Sequence, residues 1–247
     1  MNSTLRLVSL LSLGLLIACN GGTLTTDPDT DTDTDTDTDT DTDVDGCTTH
    51  LVTYQLTGSE MFIDALFDFT ITLQEPYNED ENMGPGEIVV RFPDDGSGAP
   101  ATSGTPTIVS YQMTQDFITG VSGFAEVHTQ LENQAGPDEC GVASADATDT
   151  TLDFGSIEDR CQSGQISCEG SLCGSSGTPP TDSPEVYDNV CESLPLNPFV
   201  FSADLQSFTM EAKEILNEPD RVVSLSLKGS QSSISIDENT PPCNCPE

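Results

Sequence analysis

Between residues 61 and 73 apolar and polar side chains alternate: Ile63, Ala65, Phe67, Phe69, Ile71 and Leu73 fall on one parity, Asp64, Asp68, Thr70 and Thr72 on the other. Side chains of an extended chain point alternately to opposite faces, so this pattern buries one face of a strand and cannot build the apolar stripe of a helix. It predicts a long half-buried strand over 61–73. Weaker alternation predicts strands over 48–57, 86–92, 107–113, 121–131, 149–154, 198–202, 205–216, 221–228 and 232–236. Turn-forming residues separate them, as in Asn82-Met83-Gly84-Pro85-Gly86, Pro93-Asp94-Asp95-Gly96 and Lys228-Gly229-Ser230. The stretch Met210-Glu211-Ala212-Lys213-Glu214-Ile215-Leu216 contains good helix formers. The alternation of Phe208, Met210 and Ala212, followed by the turn Asn217-Glu218-Pro219-Asp220, favours a strand there too. About ten strands with no helix between them imply a mostly β fold, an antiparallel β-sandwich or β-barrel.

Of nine cysteines, eight follow residue 46: Cys47, Cys140, Cys161, Cys168, Cys173, Cys191, Cys243 and Cys245. An even set in an exported chain suits disulfides, whose connectivity the sequence leaves open. Cys161, Cys168, Cys173 and Cys191 lie in a Gly-, Ser- and Pro-rich stretch with little apolar periodicity, read as a disulfide-rich loop insertion over about 155–195. Bridges there would substitute for a core by restricting the unfolded chain. The alternative, a zinc site completed by His50 or His128, is disfavoured because structural zinc ligands come in closely spaced pairs. Cys47 and the Cys243/Cys245 pair bracket the domain and suggest that its ends are clamped.

The N-terminus carries a different signal. Arg6 precedes the apolar stretch Leu7 to Leu16, which is too short to span a bilayer and ends in Leu16-Ile17-Ala18-Cys19. This resembles the signal and lipobox of bacterial lipoproteins. The resemblance implies cleavage of a signal peptide, residues 1–18, and lipid attachment at Cys19, with several acyl chains making the membrane anchor stable. Asn20 after the cysteine, in place of a retaining aspartate, points to the outer membrane. Residues 19–46 then form an acidic tether: from Asp27 to Asp45 an aspartate stands at every odd position. Such a run has nothing to bury and repels itself, so disorder and extension are expected, with a reach of about 80 Å. Asp41, Asp43 and Asp45 before Gly46 match the opening of an EF-hand calcium loop. The match fails at its twelfth position, Val52, where a bidentate Glu is needed, and leaves only weak calcium association. The layout as a whole is similar to that of predicted lipoproteins of myxobacteria and related bacteria, a likeness specific only over the first 46 residues. Beyond them it is texture, such as Cys168-Glu169-Gly170-Ser171-Leu172-Cys173-Gly174.

Residues 47–247 form the β domain, and charge narrows what it can do. Of the net charge of −37, the tether's ten aspartates contribute −10 and Arg6 +1, which leaves −28 on the rest. With only Arg91, Arg160, Lys213, Arg221 and Lys228 as cations after the leader, no basic stripe exists to release counterions, which argues against nucleic acid as a partner. No nucleophile elbow, HExxH, P-loop or dinucleotide fingerprint occurs, and no cofactor is implied. The absence of Trp makes a sugar platform improbable. Three functional expectations follow: a non-enzymatic display module that binds an envelope or extracellular partner or builds the surface; a β-barrel carrier of a small apolar ligand, which a filled interior would remove; and an exported hydrolase with two carboxylates about 5–9.5 Å apart in one cleft. Replacing Cys19 by Ser is expected to move the protein from the membrane pellet to the soluble exported fraction on cell fractionation; retention in the pellet would refute the lipid anchor.

Overall fold

The computed structural model describes residues 48–65, 68–72, 86–138, 140–148, 150–175 and 177–237. Fourteen strands occur among them: β1 (Thr49–Gln55), β2 (Glu60–Asp64), β3 (Asp68–Thr72), β4 (Gly86–Pro93), β5 (Thr107–Val121), β6 (Ala125–Ala135), β7 (Ala143–Ser144), β8 (Asp146–Thr148), β9 (Thr151–Asp153), β10 (Ser156–Glu169), β11 (Glu185–Pro195), β12 (Phe199–Phe201), β13 (Ser207–Glu218) and β14 (Arg221–Asp237). All belong to one antiparallel sheet in the order β11-β10-β6-β5-β4-β1-β14-β13-β12-β9-β8, with β2 and β3 attached to β14 and β7 to β5. The mostly β, antiparallel expectation is met. The sheet is single and does not close.

Three departures from the sequence reading have physical causes. The strand expected over 61–73 is a hairpin, β2 and β3, with Met61 opposite Ile71 and Ile63 opposite Phe69. Each pair joins residues of the same parity, so alternation survives the reversal and periodicity cannot distinguish one long strand from two short ones. The turn expected at Lys228-Gly229-Ser230 is instead the middle of β14. Gly229 is needed there for space, since a Cβ would lie 2.1 Å from Cε1 of Phe208. The 155–195 segment is more regular than a loop insertion. β10 and β11 occupy most of it, because β10 pairs with β6 on one side and β11 on the other, and of the described residues between them 170–175 and 177–184 belong to no strand. The helix formers of 205–216 do lie in a strand, β13.

The core is densest where β1, β4, β9, β12 and β13 meet. Tyr54, Phe92, Phe154, Phe199, Phe201 and Phe208 are buried there. Phe199 stacks on Phe208 at 4.6 Å between centroids, and Tyr54 meets the Phe208 ring edge-on at 5.3 Å. Such pairs add about 0.5–1.5 kcal/mol each beyond their area. The Tyr54 hydroxyl donates to the carbonyl of Leu205 at 2.8 Å, which satisfies the one polar atom the ring brings in. Burial raises its pKa.

Two disulfides staple the β10–β11 arm. Cys161 and Cys191 are directly opposed across the two strands, their Cα atoms 3.9 Å apart, and Cys168 is bonded to Cys173 where β10 runs out. Gly229→Ala is expected to lower stability by about 2–3 kcal/mol in urea denaturation, through overpacking against the stacked Phe208 ring, whereas Ser230→Ala at the neighbouring exposed position changes it little. Replacing Cys161 and Cys191 together by Ala opens a loop with a separation of 30 residues and should cost about 3–4 kcal/mol by chain entropy; the Cys168/Cys173 pair, five residues apart, should cost about 2. Equal losses for the two double variants, read from their urea midpoints, would contradict this ordering.

Candidate functional site

Long strands that change partners along their length divide the sheet into two limbs. β5 pairs with β4 only as far as Met113, opposite Gly86, and from Tyr111 to Val121 it pairs with β6. β14 pairs with β2 through Val222–Ser226 and with β1 only from Ser230 onward. Beyond these exchanges, one limb is β5-β6-β10-β11 and the other β3-β2-β14-β13. Their inner faces flank a partly open cavity of about 320 Å³. Its walls differ. The second limb presents Met61, Ile63, Ile215, Leu216 and Val223, while the first mixes Phe117, Val127 and Leu131 with Gln115, Thr129, Arg160 and Gln162. Irregular register helps on both sides: shifts between Met210 and Lys213 and between Glu214 and Leu216 in β13 let both Ile215 and Leu216 reach the lining.

Side chains and one loop draw the limbs together. Arg221, at the start of β14, lies 3.2 Å from Glu218 and 4.0 Å from Glu185 of β11. Tyr187 donates to Glu185 at 2.7 Å, and burial together with that carboxylate raises the phenol pKa. The connection 170–184 reaches across, bringing Gly177 so near Ala65 and the Asp220 carbonyl that a Cβ would lie 3.0 Å from each. Glu185, Glu192 and Glu218 are exposed and form the acidic rim.

Arg160 is the unusual group. It is 9 % exposed. A register shift between Ile157 and Arg160, with Asp159 at φ 51°, turns both side chains inward although they stand three residues apart. Among the described residues its guanidinium makes one hydrogen bond, from Nη1 to Oδ1 of Asn133 at 2.9 Å, an oxygen that also accepts from Gln162 at 2.8 Å. Asn133 is itself held through Nδ2 on the Met113 carbonyl. Arg160 Nε is buried without an acceptor, and no carboxylate of the described residues lies within ion-pair distance of the guanidinium. Desolvation lowers the Arg160 pKa, the neighbouring Tyr111 hydroxyl and the more distant Glu192 offsetting part of that effect. A guanidinium nevertheless stays charged at any ordinary pH.

The residues singled out from sequence fall elsewhere. His50 on β1 is buried and bonded to Asp94 at 2.8 Å; that bond, with backbone N–H groups of Gly96 and Gly98, holds the Asp94 carboxyl below its ordinary range. His128 on β6 is half-exposed and 3.4 Å from Glu126. Cys161, Cys168, Cys173 and Cys191 are in the disulfides above, and Cys140 is exposed in the turn after β6. Cys19, Asp41, Asp43, Asp45, Cys47, Cys243 and Cys245 lie outside the described residues. Among those described, no group of three or more His, Cys, Asp or Glu side chains is placed to hold a metal ion. Arg160 and Arg221 had appeared only as two of five scattered cations; the signal that could have raised them is this scarcity, since two of so few line one cavity.

No protein-family model, no curated protein and no solved structure matches this chain.

Proposed function

We propose that this chain is a lipid-anchored envelope protein whose β domain, carried on the acidic tether, binds a small, mainly apolar ligand between the two limbs of its sheet. The cavity of about 320 Å³ carries the proposal. Domain interiors are packed as densely as organic crystals, with few voids larger than a water molecule. This cavity has room for roughly ten water-sized volumes at ~30 Å³ each, the lower end of the range for small-molecule sites. The carrier expectation assumed a closed barrel; the sheet stays open, and the space that supports a ligand lies between its two limbs.

The remainder of the proposal is architectural. Acylation at Cys19 holds the chain at the outer membrane, and an Asp/Thr spacer presents the domain to whatever diffuses past. Disulfides suit the oxidising envelope and stiffen β10 and β11, which form one wall of the cavity.

A small neutral, polarity-sensitive fluorophore such as 1-aminonaphthalene, whose size matches the cavity, tests the site on exported Cys19→Ser protein. The unfilled cavity is expected to bind it, and Val127→Trp or Ile166→Trp, each placing an indole into the lining, should weaken binding at least tenfold while urea midpoint and far-UV dichroism stay near the parent's. A parent that does not bind, or folded variants that bind as the parent does, would overturn the proposal.

A further inference from the structure

We propose that the cavity selects a monoanionic amphiphile, a medium-chain acyl carboxylate, with its head on Arg160 and its tail against the apolar wall of the opposite limb; this rests on the cavity being a ligand site. A guanidinium nine-tenths buried, with no carboxylate of the described residues at ion-pair distance, calls for an anion. Buried arginines are ordinarily matched with a carboxylate because an unpaired buried charge costs several kcal/mol. Here the single hydrogen bond goes to the neutral Asn133 amide, and Nε has no acceptor. Carboxylates are abundant on this protein and Glu192 is the register partner of Arg160, yet it is exposed and outside ion-pair distance. Arg160 lines the cavity and, since its Nε is closed off, an anion there would be met by the Nη end of the guanidinium.

The remaining features narrow the class. Met61, Ile63, Ile215 and Val223 offer no hydrogen bond and suit methylenes, each worth about 0.8 kcal/mol when buried. A volume near ten water-sized units takes a chain of roughly that many heavy atoms. Glu185, Glu192 and Glu218 on the rim repel a second negative charge, which disfavours nucleotides and other polyanions. Arg221 already faces Glu218 and Glu185, which leaves Arg160 as the anion receptor. Its planar fork matches a carboxylate in two-point contact.

Calorimetric titration of Cys19→Ser protein with decanoate and with 1-decanol, at equal ionic strength and below the aggregation limit of each, separates this inference from the site itself. Decanoate is expected to bind at least tenfold more tightly than 1-decanol, and Arg160→Gln should remove that preference while retaining 1-decanol binding. Equal affinity of the parent for the two ligands, or an undiminished preference in folded Arg160→Gln, would overturn the role of Arg160 and leave the cavity as an apolar site. Binding of neither ligand by the parent would overturn both. Should Arg160→Gln fail to fold, the comparison of decanoate with 1-decanol on the parent still decides.

Discussion

Ser59 and Lys228 exchange two hydrogen bonds, the Lys228 N–H donating to Ser59 Oγ at 2.8 Å and the hydroxyl returning to the Lys228 carbonyl at 3.3 Å. They lie at the point where β14 changes partners. Between β1 and β2 the chain turns through Leu56–Ser59, and there the ladder on β14 would otherwise leave backbone groups unmet. Bridging that gap lets a single 17-residue strand serve two differently directed parts of the sheet. Next to it, Gly229 gives way to the Phe208 ring, so the aromatic cluster can close tightly against the same strand. One side of this junction therefore packs solid, and on the other the limbs diverge.

Divergence leaves interior positions that no neighbouring strand fills. On β5 the inward residues pass from Tyr111 and Met113 in the packed core to Gln115, Phe117 and Thr119 along the cavity, and β6 contributes Thr129 and Asn133. Polar side chains of this kind are costly inside a core unless they are bonded, and Asn133 is bonded through both its oxygen and its nitrogen. Arg160 has only its Nη1 bond among the described residues. A register shift in β10 turns it inward, and the adjacent Cys161–Cys191 bridge fixes the pairing of β10 with β11 at that point. Holding a charge that way costs stability, which the proposed anion would return on binding.

Much of the strand content could be read from alternation, because burial of one face imposes period two wherever a sheet has an inside. That signal is local, and it weakens where the structure departs from regularity. Parity carried 61–73 through a reversal unseen. Gly229 read as a turn because glycine's two uses, conformational freedom and close approach, look identical in a sequence. β10 and β11 were hidden because most of their cavity-facing positions, Arg160, Gln162, Glu185, Tyr187 and Glu192, carry polar side chains where a core would have placed apolar ones. Arg160 was visible only as a charge, since the bulge that turns it inward depends on pairing with residues 30 positions away.

By itself the sequence determined an antiparallel β class, a pool of cysteines suited to bridges, and a strongly acidic charge balance, because each follows from composition or from spacing within a few residues. The lipobox and the Asp/Thr run likewise state their expectations without reference to a fold. Tertiary structure alone decided that Cys161 meets Cys191, that the sheet stays open as two limbs, and that a nearly isolated guanidinium borders the space between them. Those outcomes depend on which distant strands share hydrogen bonds and on where their register slips, and neither is encoded in the periodicity of any one segment.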